Sequence, residues 1–252
     1  MVRKSSKKTE MKLFGLIGKN IDYSFSRTYF SEKFKQHHLD CVYQNFDLNS
    51  IKEFPRIFDS ENIYGLNVTI PYKEAVIPYL DALDHEAEAI GAVNTILIKN
   101  NKLIGCNTDH YGFKTSLIPH LNSTQKKALI LGTGGASKAV VYALESLGIE
   151  TKFVSRSKKI KGALNYKDLS TSDIQEHTLI VNCTPLGTHP NIEECPPIPY
   201  NGIGKNHLLY DLIYNPSETK FLGYGKKADA KTLNGLKMLE LQAEKSWEIW
   251  HS

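Results

Sequence analysis

Ala128-Leu129-Ile130-Leu131-Gly132-Thr133-Gly134-Gly135-Ala136-Ser137-Lys138-Ala139-Val140-Val141 places an apolar run, a glycine turn and an amphipathic segment in that order. The run predicts a buried strand and the segment after the glycines a helix. Glycine lets the backbone approach a ligand closely, and a helix N-terminus offers N–H groups with no partner inside the helix. That order is what a dinucleotide pyrophosphate requires of a βαβ unit, so Gly132, Thr133, Gly134, Gly135 and Ala136 are candidate cofactor contacts. A lone glycine motif is weak evidence; the strand before it and the helix after it favour this reading over a mere tight turn.

The next strand, Thr151 to Val154, runs into Ser155-Arg156-Ser157-Lys158-Lys159. A protein selective for NAD usually carries an acidic residue there for the ribose 2′-hydroxyl, whereas Glu150 stands at the leading end of the strand. A cationic, hydroxylic loop suits a 2′-phosphate, with Arg156 as its planar partner, so the expected cofactor is NADP. Lys158 and Lys159 read as solvated surface. Strands follow at Leu179–Asn182, ending in Cys183-Thr184-Pro185-Leu186-Gly187, at Leu208–Asp211, ending in Leu212-Ile213-Tyr214-Asn215-Pro216, and at Lys231–Leu233. A helix spans about Glu218 to Lys226 between the last two. The last helix, Leu236 to Trp250, spaces Leu236, Leu239, Ala243, Trp247 and Trp250 as a core stripe. Gln242 lies beside that stripe, either solvated or projecting into a cleft.

Upstream, the polar stretch Asn122-Ser123-Thr124-Gln125-Lys126-Lys127 marks a domain boundary. Strands at Lys12–Gly18, Cys41–Phe46 and Tyr64–Ile70 alternate with helices at Arg27–His38 and Ile51–Phe58, the pattern of an α/β layer with a mostly parallel sheet. Ser26 is the expected N-cap of the first helix. Pro71 suits the first turn of a further helix reaching towards Leu80, and a cation there, Lys73, faces the positive end of the macrodipole. A local rule broken without visible compensation points to a functional site, against the alternative of a solvated lysine. A short helix at Asp84–Ile90 precedes a hairpin of Val93–Lys99 and Lys102–Cys106 around Asn100-Asn101. Asn94 lies early in its first strand and Asn107-Thr108-Asp109 closes the second. Asp109 is either the N-cap of a helix from Tyr111 to His120 or a side chain directed into a cleft.

The chain has 252 residues, 41% of them hydrophobic, enough for one large core or two modest ones. Its formal charge of +4 is concentrated in Arg3, Lys4, Lys7 and Lys8, so residues 1–10 read as a disordered extension and no basic face suits nucleic acid. No stretch is long enough to span a membrane, and the start has no signal-peptide core. The 4 cysteines, Cys41, Cys106, Cys183 and Cys195, form no Cys-x-x-Cys pair and no zinc-site spacing with histidine, so no metal is expected. A reducing, cytoplasmic setting follows.

Several stretches together resemble shikimate dehydrogenases over nearly the whole length after Met11: Gly15-Leu-Ile-Gly18 with Ser24-Phe-Ser26, Asn67-Val-Thr-Ile-Pro-Tyr-Lys73, Gly91-Ala-Val-Asn-Thr95, Asn107-Thr-Asp109, Gly132-Thr-Gly-Gly-Ala-Ser137, Asn182-Cys-Thr-Pro-Leu-Gly187 and Gly235-Leu-Lys-Met-Leu-Glu-Leu-Gln-Ala243. The resemblance implies an N-terminal α/β substrate domain, residues 11–110 completed by the helix 235–252, and a Rossmann-like NADP-binding domain, residues 111–234, with a cleft between them. It implies reversible NADPH-dependent reduction of 3-dehydroshikimate to shikimate in aromatic amino acid (chorismate) biosynthesis. Lys73 and Asp109 would form the acid/base pair, and Ser24 and Ser26 would hold the substrate carboxylate. Thr69, Asn94, Asp109 and Gln242 would bind ring hydroxyls, with Tyr214 lining the site. Cofactor contacts would come from the glycine turn, Ser155, Arg156, Ser157, Thr184, Leu212 and Gly235. Tyr23 and Arg27 replace the His and Pro usual around the two serines. Alternatives are a quinate/shikimate dehydrogenase using NAD or NADP, and a non-catalytic nucleotide-binding paralogue. The expected partner is a small molecule, with neither nucleic acid nor membrane, and the chain a monomer or homodimer.

Overall fold

The computed structural model describes residues 11–22, 24–59, 62–157 and 162–252. The expectations for residues 1–10, Tyr23, Lys158 and Lys159 lie outside them. The chain divides into two compact units, one of residues up to Glu88 with Val93–Cys106 and Ser246–Ser252, the other of Ala89–Ala92 with Asn107–Lys245.

The first unit contains β1 (Lys12–Gly18), α1 (Phe25–Gln36), β2 (Cys41–Asp47), β3 (Ile63–Val68), β4 (Ala82–Leu83), the start of α2 (His85–Ile90), β5 (Thr95–Lys99) and β6 (Lys102–Cys106). Its sheet has the order β2-β1-β3-β5-β6-β4. β1 is paired in parallel with β2 and β3, while β3, β5 and β6 are antiparallel. The hairpin between β5 and β6 turns at Asn100 and Asn101, with φ of 53° and 58°, the left-handed values a two-residue turn needs. Ile51–Phe58 is a 3₁₀ helix, which opens on a capping box of Ser50 and Glu53 and holds Pro55. One side of the sheet packs Phe14, Phe30, Phe34, Trp247 and Trp250 together. Trp250 donates its indole N–H to Ile96 O at 3.1 Å, and its ring lies so near Gly65 that a Cβ there would overlap it.

The second unit contains α3 (Asp109–Leu117), β7 (Lys127–Leu131), α4 (Gly135–Glu145), β8 (Glu150–Ser155), β9 (Leu164–Asn165), α5 (Thr171–Glu176), β10 (Leu179–Asn182), β11 (Leu208–Asp211), α6 (Lys220–Lys227), β12 (Lys231–Leu233) and the first turns of α7 (Leu236–Trp250). Its strands are all parallel, in the order β12-β11-β10-β7-β8-β9. Read from the other edge, this is the doubly wound order in which the chain reverses direction between β7 and β10. β7 is buried on both faces: Ala128 and Ile130 join one core with Leu179, Val181, Leu208 and Tyr210, and Leu129 and Leu131 join another with Val154, Ile180, Leu209 and Phe221. That is why its sequence is uniformly apolar instead of alternating.

Four expectations need correction. The helix expected from Pro71 is absent: residues 70–76 make turns, and only Ile77–Tyr79 forms a 3₁₀ turn. The Tyr72 hydroxyl ties this stretch to Leu48 O at 2.6 Å, and Pro78 prevents a regular ladder. The cap of α1 is Ser24, so the helix starts two residues earlier than expected. Asp109 is the first residue of α3 and not its cap. Leu236 is exposed; the buried positions of α7 include Met238, Gln242, Ala243, Ser246 and Trp250. β9 and α5 have no counterpart among the expected elements, although Ser170 and Asp173 form a readable capping box for α5.

Candidate active site

In the first unit, the loop after β1 is fixed before α1 begins. The Asp47 carboxylate accepts from the N–H groups of Asn20 at 2.9 Å and Ile21 at 3.1 Å, and Asn45 Nδ2 donates to Ile21 O at 2.7 Å. Arg27 Nη2 donates to Asp22 O at 3.1 Å, so this arginine braces the loop. Ser24 Oγ accepts from Arg27 N–H at 3.4 Å as the cap. Ser26 lies in the first turn and is buried. No acidic residue occupies that first turn, which keeps the positive end of the helix available to an anion.

Thr69, Lys73 and Asn94 are brought together in the same unit by backbone bonds. Thr69 N–H donates to Ile17 O at 2.8 Å, Val68 N–H to Asn94 O at 2.8 Å, and Val93 N–H to Lys73 O at 2.8 Å. Lys73, half-buried, lies in a turn, so the macrodipole conflict expected for a helical lysine does not arise. Beneath these residues lies a buried polar cluster with no counterpart in the sequence-derived candidates. Tyr43 Oη donates to Asn67 Oδ1 at 2.8 Å. Asn67 Nδ2 faces Asn94 O at 3.2 Å, Thr95 Oγ1 at 3.2 Å and Ser246 Oγ at 3.0 Å. The available signal was polar side chains within otherwise apolar strands, each of which needs a partner once buried.

The second unit holds Asp109 and Gln242. Asn107 Oδ1 accepts from Asp109 N–H at 3.1 Å and His110 N–H at 3.4 Å, so the first N–H groups of α3 are met by Asn107. Thr108 Oγ1 donates to Gln242 Oε1 at 3.4 Å. Gly112 lets α3 and α7 approach: a Cβ there would meet Met238 O at 2.5 Å and Gln242 Cβ at 3.0 Å. Asp109 and Gln242 are both buried.

The glycine turn stands where β7 and β10 diverge. Gly132 has φ of 104°, and a Cβ on it would press on Thr184 Cγ2 at 3.1 Å and Cys183 O at 3.2 Å. Gly134 is the N-cap of α4 with no side-chain hydrogen bond, and space around it is open. Asn182 fixes Thr184 by accepting from its N–H at 3.0 Å and its hydroxyl at 2.6 Å. Asn182 Nδ2 in turn donates to Asp211 Oδ1 at 3.0 Å, and Asp211 also accepts from Ile213 N–H at 3.1 Å and Thr219 Oγ1 at 2.6 Å. Burial pushes the Asp211 carboxyl up to about 6. Leu212 N–H donates to Asn182 O at 3.0 Å, and a Cβ on Gly235 would overlap the Leu212 carbonyl, so these two candidates are locked together. Ser155 Oγ accepts from Ser157 N–H at 3.0 Å, and Arg156 between them is exposed. Tyr214 is 36% exposed. A glycine cradle, an uncapped helix start and an exposed guanidinium beyond the second strand together fit a phosphorylated dinucleotide.

Residues 16–96 match the family described as the shikimate dehydrogenase substrate binding domain. Over 96% of its length the chain is 40% identical to a shikimate dehydrogenase (NADP(+)) of Methanococcus maripaludis, covering 92% of that protein. The chain belongs to the shikimate dehydrogenase family. A family member from Clostridium botulinum, also named shikimate dehydrogenase (NADP(+)), is 42% identical over 94% of this chain and 95% of its own. A shikimate dehydrogenase of Thermus thermophilus, solved with NADP(H) and shikimate, superposes with a TM-score of 0.85 at 29% identity, covering 95% of this chain and 93% of that one. Among the described residues no helix is long and apolar enough to cross a membrane, and no group of His, Cys, Asp and Glu is placed to hold a metal ion.

Proposed function

We propose that this chain is an NADP-dependent shikimate dehydrogenase, reducing 3-dehydroshikimate reversibly to shikimate in chorismate biosynthesis. The observation that carries this is the 40% identity to a shikimate dehydrogenase (NADP(+)) along 96% of the chain. Bound NADPH supplies the hydride. Reduction of a ketone leaves an alkoxide that needs a proton, and the Lys73 ammonium donates it; in the reverse direction the Lys73 amine takes it back. Asp109 is the carboxylate of that acid/base couple. Ser24 and Ser26 bind the substrate carboxylate at the start of α1, and Thr69, Asn94, Asp109 and Gln242 bind ring hydroxyls, with Tyr214 lining the site.

Gly132, Thr133, Gly134, Gly135 and Ala136 hold the pyrophosphate, Ser155, Arg156 and Ser157 the 2′-phosphate, and Thr184, Leu212 and Gly235 the remainder of the cofactor. By role, residues 11–110 with 235–252 serve the substrate and residues 111–234 the cofactor. This differs from the division by contacts, which counts Asp109 and Gln242 with the second unit. The protein works in the cytoplasm, on small molecules, as a monomer or homodimer. The test is steady-state reduction of NADP with shikimate. Turnover with NADP and shikimate supports the assignment; binding of both without turnover would make the chain a non-catalytic paralogue.

A further inference from the structure

Asn94 carries both hydrogen-bonding kinds on one amide, and which of them a ligand meets depends on what holds the amide. Thr95 Oγ1 donates to Asn94 Oδ1 at 3.1 Å. Thr95 is fully buried, and its hydroxyl also lies 2.8 Å from Ser246 Oγ and 3.2 Å from Asn67 Nδ2. The orientation of Asn67 is fixed in its turn. Its Nδ2 must face Asn94 O, which only accepts, and its Oδ1 receives the Tyr43 hydroxyl. A hydroxyl has one proton, so when Thr95 gives it to Asn94, the bond with Ser246 runs from Ser246 to Thr95. Tyr43, Asn67, Thr95 and Ser246 are all buried, and an isolated pair there would be far less well fixed than this connected set. With Oδ1 engaged by Thr95, the other branch of the Asn94 amide is Nδ2, a donor.

We propose that Thr95, backed by Asn67, Tyr43 and Ser246, is a positioning residue that holds Asn94 with its amide donor directed at a substrate hydroxyl oxygen. The inference rests on the assignment of Asn94 to a ring hydroxyl. Strand position alone does not demand a hydroxyl at residue 95, since Val matches Thr in shape and favours strands equally. What Val lacks is the proton that clamps Asn94. Thr95→Ser keeps that proton and loses only a methyl group.

The experiment compares the full-length protein with Thr95→Val, Thr95→Ser, Asn94→Ala and Asn94→Ala/Thr95→Val in shikimate oxidation, with NADP affinity measured separately by fluorescence titration. Thr95→Val is expected to raise KM for shikimate about 10-fold, the weight of one misdirected neutral hydrogen bond, with kcat and NADP affinity little changed. Thr95→Ser is expected to restore a near-normal KM, and Thr95→Val to add nothing further once Asn94 is alanine. If the valine variant does not fold, Thr95→Ala against Thr95→Ser makes the same comparison without a buried methyl in place of the hydroxyl. Thr95→Val or Thr95→Ala with a normal KM, or a loss that persists in full beside Asn94→Ala, would overturn the inference while leaving the assignment of Asn94 intact. A normal KM in Asn94→Ala would overturn both.

Discussion

Replacing Asp211 by Asn separates the cost of a buried charge from the value of the hydrogen bonds around it. Asp211 is 0% exposed, and its carboxylate accepts from Asn182, Ile213 and Thr219. Burial is the largest influence on it and raises its pKa from 3.8 to about 6, against the three donors, which lower it. Below pH 3.8 both the folded and unfolded chains hold the proton, and this group costs nothing. Between that value and about 6 the unfolded chain ionises first, so stability falls as pH rises. A rise of this size corresponds to a loss on the order of 2–3 kcal/mol, complete above the folded-state value. Asn keeps an oxygen for Asn182 and Ile213, and its amide can donate to Thr219, whose hydroxyl can accept. Urea unfolding of both proteins from pH 4 to 7 should therefore show the Asp211→Asn protein gaining about 2–3 kcal/mol relative to the parent across that range, whatever its offset at pH 4. A stability difference that does not change with pH, or one that moves against the variant, would refute the argument.

Lys73→Ala should lower kcat by about 10²–10⁴-fold, the usual contribution of general acid/base catalysis, with NADP affinity unchanged in a fluorescence titration. Arg156→Ala should weaken NADP binding by about 10- to 100-fold through loss of a charge-assisted contact, leaving NAD binding as it was; calorimetry with both cofactors checks this. Gly235→Ala forces a methyl group into the Leu212 carbonyl, so a destabilisation of about 1–3 kcal/mol and weaker NADP binding are expected together in thermal and binding assays.

The glycine turn is legible in the sequence because three local signals agree there: an apolar strand, glycine where φ reaches 104°, and a helix start that no side chain caps. The Asn100-Asn101 hairpin is legible for a similar reason, since asparagine is one of the few residues that accepts left-handed backbone. Capping is not. Ser24 and Ser26 stand two residues apart and either suits the role; the choice is made by Asp47 and Asn45, which fix the preceding loop at Ile21 from 26 and 24 residues away in sequence. Asp109 reads as a cap, but the helix starts at Asp109 itself, and Asn107, two residues earlier, accepts from its first N–H groups, those of Asp109 and His110. The stretch after Pro71 carries a plausible helix pattern, but Tyr72 is anchored to Leu48, and local propensity loses to that contact. The Tyr43-Asn67-Thr95-Ser246 cluster is assembled from β2, β3, β5 and α7, and no sequence spacing announces it.

The central claim is tested most directly by following NADPH or NADH formation through the absorbance of reduced nicotinamide, with shikimate or quinate against NADP or NAD. The account predicts the highest kcat/KM for shikimate with NADP. Preferred turnover of quinate with NAD, or binding of shikimate and NADP without turnover, would contradict it.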